Sequence, residues 1–145
     1  MAITSTLCTS FKQELLQGVH NFNKATSPDT FKLALDSSTA SLDASTTAFT
    51  TSGEVTGTNY TSGGATLTLK TGTPTTDGTT AVVDFDPLTF SNVTLTAAGA
   101  LIYNSSDSNK AVCVISFGKD VSASASDFTI TFPSTGASNS IIRLA

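Results

Sequence analysis

The sequence predicts a mainly β protein: a single jelly-roll-like β-sandwich of about seven to nine short strands with one short N-terminal helix. Three observations carry this. Short apolar runs alternate with polar residues at a period of two along most of the chain, which is the signature of half-buried strands. Turn residues interrupt those runs at the spacing usual in sandwiches and barrels. Serine and threonine make up about a third of the 145 residues, and both suit this architecture, Thr in strands and Ser in turns. The length suffices for one domain spanning 1–145 with one sizeable core.

The single helical pattern lies at the N-terminus. Leu7, Phe11, Leu15 and Val19 recur every four residues, and Cys8 and Leu16 widen the stripe, so a helix is expected within residues 4–20. Ser10 and Gln13 form a capping box, or the helix starts earlier, near Thr4 or Thr6. Gly18 and the HNFNKATSPD segment end it. So short a helix is marginal alone, so its stripe must lie on something.

The β-sandwich is expected over 31–145. In FKLALD, Phe31, Leu33 and Leu35 alternate with Lys32, Ala34 and Asp36, a half-buried strand. Residues 37–64 follow as a long ordered loop, with Leu42, Phe49, Val55 and Tyr60 as spaced apolar anchors and room for a short strand or helical turn. Loops of this length are usually functional, so this one is the first candidate for an interaction surface. ATLTLK from Ala65 reads as a strand, and TGTPTTDGT as a turn marked by Pro74 and Asp77-Gly78. TAVVDFD and Leu88 to Thr96 are the next strands, with a bend or bulge at Ala98-Gly99. LIY and AVCVISF flank the loop NSSDSNK as a central hairpin that is apolar on both faces. GKDVSASASD is a connection, FTITF a strand closed by Pro133, and Ile141 to Leu144 a terminal strand expected to be paired.

The net charge is −4 and charged residues make up only 12% of the chain. The basic residues Lys12, Lys24, Lys32, Lys70, Lys110, Lys119 and Arg143 are scattered, which argues against nucleic acid as a partner. No apolar run approaches the roughly 18 residues of a membrane span, so no membrane is expected. The N-terminus lacks the basic and apolar regions of a signal peptide, which weakens the sequons at Asn59, Asn92 and Asn104. Cys8 and Cys113 match no CxxC motif; they read as two free buried thiols, with a long-range disulfide as the alternative.

Candidate chemistry is sparse. His20, the single histidine, has no nucleophile motif to serve and reads as a capping or loop residue at the helix end. Asp84 and Asp86 share one side of a strand about 6.5–7 Å apart, a spacing that invites comparison with glycosidase carboxylate pairs. They read instead as outward polar residues of a sandwich strand, with no aromatic subsite around them. Asp107-Ser-Asn109 is too short of acids and glycine to be a calcium loop. Phe85, Phe90, Phe117, Phe128 and Phe132 alternate along strands and are expected in the core. No catalytic, cofactor-binding or metal-binding residue is assigned, and no cofactor is expected.

The words SFKQELLQGVHNF, DTFKLALDSSTASLDASTTAF, TSGEVTGTNYTSGG, GALIYNSSDSNKAVCVISFGKD and DFTITFPSTGASNSIIRLA together resemble small virion structural proteins of tailed bacteriophages. The resemblance runs over nearly the whole chain, with LKTGTPTTDGTTAVVDFDPLTF as a more variable middle. It implies a non-enzymatic virion component, assembled in the host cytoplasm. A capsid decoration (cement) protein, acting as a homo-oligomer against the major capsid protein or other virion proteins, is the first expectation. A tail, head–tail connector or fibre-associated adhesion component is the alternative.

Overall fold

A computed structural model describes residues 2–145. Two antiparallel sheets enclose one apolar core, as the alternation requires. The larger contains β1 (Thr6–Leu7), β2 (Phe31–Asp36), β3 (Ala65–Thr66), β6 (Leu88–Asn104) and β7 (Lys110–Ile130) in the order β1-β7-β6-β2-β3. The smaller contains β4 (Thr75–Asp77), β5 (Thr80–Val83) and β8 (Ile142–Leu144) in the order β4-β5-β8. The helix α1 spans Thr9–Leu16. The expected mainly β sandwich with one short helix is what forms, with eight strands among the described residues, split five and three.

The β6–β7 hairpin dominates. Its strands run 17 and 21 residues, joined by the tight turn Ser105–Asn109. The sequence breaks them into shorter pieces, but pairing continues through LTFSNVTLT, through LIY and through VSASASDFTI. What bends the hairpin is a set of register shifts, one of them at the expected position between Ala97 and Gly99. GKDVSASASD is therefore strand rather than connection: Val121 pairs Ala97 and Ala123 pairs Leu95, while Ser122 and Ser124 face solvent. Thr96 and Ser122 hydroxyls meet at 2.7 Å and those of Thr89 and Thr129 at 3.0 Å along the exposed face.

β2 pairs with β6 over its whole length, from Phe31↔Asn104 to Asp36↔Gly99. Directly opposed residues share a face. One face carries Phe31, Leu33, Leu35, Ala100 and Ile102 and packs with Phe11 of α1 and Phe22 of the segment after it. An aromatic chain crosses the core here: Phe22 stacks on Phe31 at 4.3 Å, Phe31 meets Phe85 at 6.2 Å, and Phe85 meets Phe132 at 5.7 Å. Phe90 and Phe128 are also buried and Phe117 half-buried.

The other face of β2 carries Lys32, Ala34 and Asp36, and it is covered rather than solvated. Residues 37–64 fold back over it. Leu42 bridges Ile3, which packs on Gly99, and Phe49 stacks on Tyr103 at 4.6 Å. Val55 is buried, and Glu54 and Thr58 form isolated bridges to Asp36 and Thr94. The loop is ordered on its expected anchors, but they point inward.

The helix is shorter than the expected 4–20. Thr6 and Leu7 pair with Val114 and Cys113 of β7, which starts the helix late, and Val19 and His20 lie beyond it. Cys8 is the N-cap without a side-chain cap, so no Ser10–Gln13 capping box forms. Cys8 and Phe11 are fully buried and Leu15 partly, but Leu16 is 93% exposed and does not belong to the stripe. Thr75–Asp77, expected as a turn, is a strand closing a hairpin at Gly78-Thr79. Only Ala65–Thr66 of ATLTLK joins a ladder, though Leu67 and Leu69 are buried. The terminal strand pairs with β5 as expected.

Candidate functional site

Two buried polar clusters and one apolar seam stand out. The first cluster lies where the long loop meets the outer edge of β2. Ser37 N donates to Gly53 O at 2.8 Å and Val55 N to Leu35 O at 3.0 Å. These flanking bonds make Asp36 and Glu54 a non-hydrogen-bonded pair, the position where cross-strand side chains come closest. Like charges at such a position repel. Glu54 is amply served: Tyr60 Oη donates to Oε1 at 2.9 Å, Gly63 N to Oε1 at 2.6 Å and Ser62 Oγ to Oε2 at 2.7 Å. Tyr60 Oη in turn accepts from Leu35 N at 2.9 Å. Asp36 is 2% exposed and its Oδ2 has no partner. Burial first, and the Glu54 charge second, push its carboxyl up to about 7. Burial likewise pushes the Tyr60 and Tyr103 hydroxyls upward.

The second cluster surrounds His20, which is buried against Phe11 at 4.9 Å rather than capping the helix in solvent. Asn104 Oδ1 accepts from Ser106 N, and its Nδ2 donates to Asp29 Oδ2 at 2.8 Å, which fixes the amide. The same Nδ2 lies 3.0 Å from His20 Nδ1, so Nδ1 accepts and Nε2–H donates to Glu14 Oε2 at 2.6 Å. This chain ties the end of α1 to the loop before β2 and to the β6–β7 turn. No hydroxyl or thiol takes part in it.

The other expected positions resolve individually. Asp84 is fully buried, with Oδ2 unpartnered and Oδ1 3.5 Å from Ile141 N, while Asp86 is half-buried; Asp84 is not an outward polar residue. Cys8 and Cys113 are free and buried, and burial raises both thiols, Cys8 to about 11. Asn104, the third sequon, is fully buried; Asn59 and Asn92 are exposed. Asp107 makes turn contacts, with Lys110 Nζ at 3.9 Å. Among the described residues no three His, Cys, Asp or Glu side chains converge as a metal cluster, and no helix is long and apolar enough to cross a membrane.

The seam lies between the two sheets. β1 covers the outer edge of β7 only at Cys113 and Val114, and from Phe117 to Ile130 the described strands pair with β7 only through β6. Beside this edge an apolar groove of about 410 Å³ is lined by Ile115, Phe117, Ile130, Phe132, Pro133 and Ile141. A second groove of about 330 Å³ shares Ile115 and Ile141 and continues to Leu7 and Arg143. Residue spacing could not reveal the seam, because it joins Phe117 to Ile141 across the fold. Nor could it reveal the Asp36–Glu54 contact, which needs the loop to fold back.

Comparison with protein families, with curated proteins and with solved structures finds no match to this chain.

Proposed function

We propose that this chain is a bacteriophage virion structural protein, a capsid decoration (cement) protein that acts as a homo-oligomer and strengthens the shell through contacts with the major capsid protein. The observation that carries the reading is the open apolar seam beside the unpaired edge of β7. A sheet edge with free backbone groups next to an apolar groove is the arrangement that accepts another chain's extended segment. The virion-like words of the sequence run through both elements that build it, GALIYNSSDSNKAVCVISFGKD and DFTITFPSTGASNSIIRLA. The sparse surface charge and the two-sheet core suit a rigid part that works by shape.

Cryo-electron microscopy of the particle tests this. The expected result is density for the chain at many equivalent positions on the shell, burying more than about 1,000 Å² per contact with the seam inside the interface. A few copies at the tail or neck would overturn the capsid role in favour of a tail, connector or fibre component. Absence from the particle would overturn both.

A further inference from the structure

We propose that the Asp36–Glu54 contact is a proton-operated latch: while the pair holds one proton, the Gly53–Gly63 segment stays docked on β2, and release of that proton to solvent lets the segment open. The inference is independent of a virion role.

The pair is asymmetric. Glu54 takes three donors, from Tyr60, Ser62 and Gly63, so both of its oxygens are accepting. Asp36 has an unpartnered Oδ2 and almost no contact with water. With both Glu54 oxygens occupied by donors, Asp36 is the member with an oxygen free to carry the proton, and the rise of its carboxyl to about 7 is in line with this. No cation pairs with Asp36 among the described residues. On β2, Lys32 is on the same face four residues away, and its ammonium lies beside Gly63, 3.5 Å from where a Cβ there would sit, without an ion pair to either carboxylate. On β6 the opposed residue is Gly99, and the N-terminal segment contributes Ile3. From the loop come Glu54 itself and Tyr60, whose hydroxyl is already engaged. Lys119 and Asp120 of β7 cancel in sign and line a separate groove with Ala98 and Ser38.

Part of the docking runs through the same residues, while Thr58 bridges Thr94 of β6 and Asn59 Nδ2 donates to Asn92 O at 2.8 Å independently of them. Gly63 N and Tyr60 Oη reach Glu54, and Tyr103 Oη donates to Gly63 O at 2.6 Å. Val55 is the segment's one buried apolar side chain. Leu42 and Phe49 anchor the earlier part of the loop separately, so opening is confined to the later part.

Hydrogen exchange followed by mass spectrometry tests the latch on the intact chain. After correction for the intrinsic base-catalysed rate, the opening constant of the 53–63 amides should rise about tenfold between pH 6 and pH 8, as follows from a closed-state value near 7 and an ordinary open-state carboxyl. Amides of 99–104 should not change. Asp36→Asn should remove the rise. A flat wild-type profile overturns the proposal, and so does a rise that persists in D36N, because another group would then carry it. Should D36N fail to fold, the Asp36 carboxyl ¹³C shift in the wild type decides: an inflection near 7 supports the latch and one near 4 overturns it.

Discussion

Asp36 makes the stability of the whole domain depend on pH in the direction opposite to that of most carboxylates. Its carboxyl is raised to about 7 in the folded chain, against about 3.9 when unfolded. Between those values the folded state binds the proton and the unfolded state does not, so stability falls as pH rises through this window. It is untouched below about pH 4 and fully reduced above the folded value. Three pKa units correspond to about 4 kcal/mol in all, of which about 3 kcal/mol falls between pH 5 and pH 8. Asp36→Asn keeps the shape and removes the titration. Urea unfolding of both chains at pH 5, 6, 7 and 8 gives the difference, which cancels contributions from Asp43 and the other carboxylates. The expected result is a D36N advantage that grows by about 3 kcal/mol from pH 5 to pH 8 at constant m-value. A difference that stays level over this range refutes the reasoning, since it would mean that Asp36 is ionised in the folded chain throughout.

Three further substitutions probe the packing. Phe31→Ala removes the ring stacked on Phe22 and leaning on Phe85, and should cost about 3–5 kcal/mol, read as a melting-temperature loss of about 10 °C or more by calorimetry. Leu15→Asp places a charge on the half-buried side of α1 and should cost about 1–3 kcal/mol, whereas Leu16→Asp, at a 93% exposed position, should stay within about 0.5 kcal/mol; equal effects in urea melts would mean that the helix faces are misassigned. Gly64→Ala should destabilise by more than about 1 kcal/mol, because Gly64 has φ +74° and an added Cβ would overlap the Leu33 carbonyl; an unchanged melting temperature would contradict the close approach of that turn to β2.

What the sequence made legible follows from period and punctuation. Strand alternation located β2, β5, the hairpin and the terminal strand because each contains at least two alternating apolar residues. Composition misled at VSASASD: serine and alanine look like a connection, yet Val121 and Ala123 face inward while the serines between them face outward, which is strand alternation with small side chains. The same small residues are what the hairpin needs where β6 and β7 bend. Leu16 was misplaced because a helix cut short by the β1 pairing presents a narrower stripe than the sequence suggests. His20 and Asn104 are 84 positions apart, and Asp36 and Glu54 meet only after a chain reversal. Periodicity reports which way a side chain points along its own element, so it carried no trace of either pair.

The inward turn of the long loop bears on which edges of the larger sheet stay open. Spaced apolar anchors in a long polar segment suggest an arm that reaches out, but Leu42, Phe49, Val55 and Tyr60 are all spent on this chain's own sheet. Folded back, the loop also closes the outer edge of β2, which β3 covers only at Lys32 and Leu33 and Glu54 extends to Asp36. β1 closes the edge of β7 at its start in the same way. Among the described residues, the 88–98 stretch of β6 meets the loop at a single bridge, Thr94 to Thr58, and the later half of β7 is unpaired on its outer side; the apolar seam runs beside this β7 edge. An edge strand can be protected by twist, by charge or by a partner. Here the bulged turn at Gly118 with Lys119 and Asp120 guards one end of that edge, and Asp127 lies near the other. Between them lie Ser122, Ser124 and Ser126, which carry no charge to repel an incoming strand. A partner strand laid there would satisfy the free backbone groups and, where the seam adjoins, cover Phe117 and Ile130.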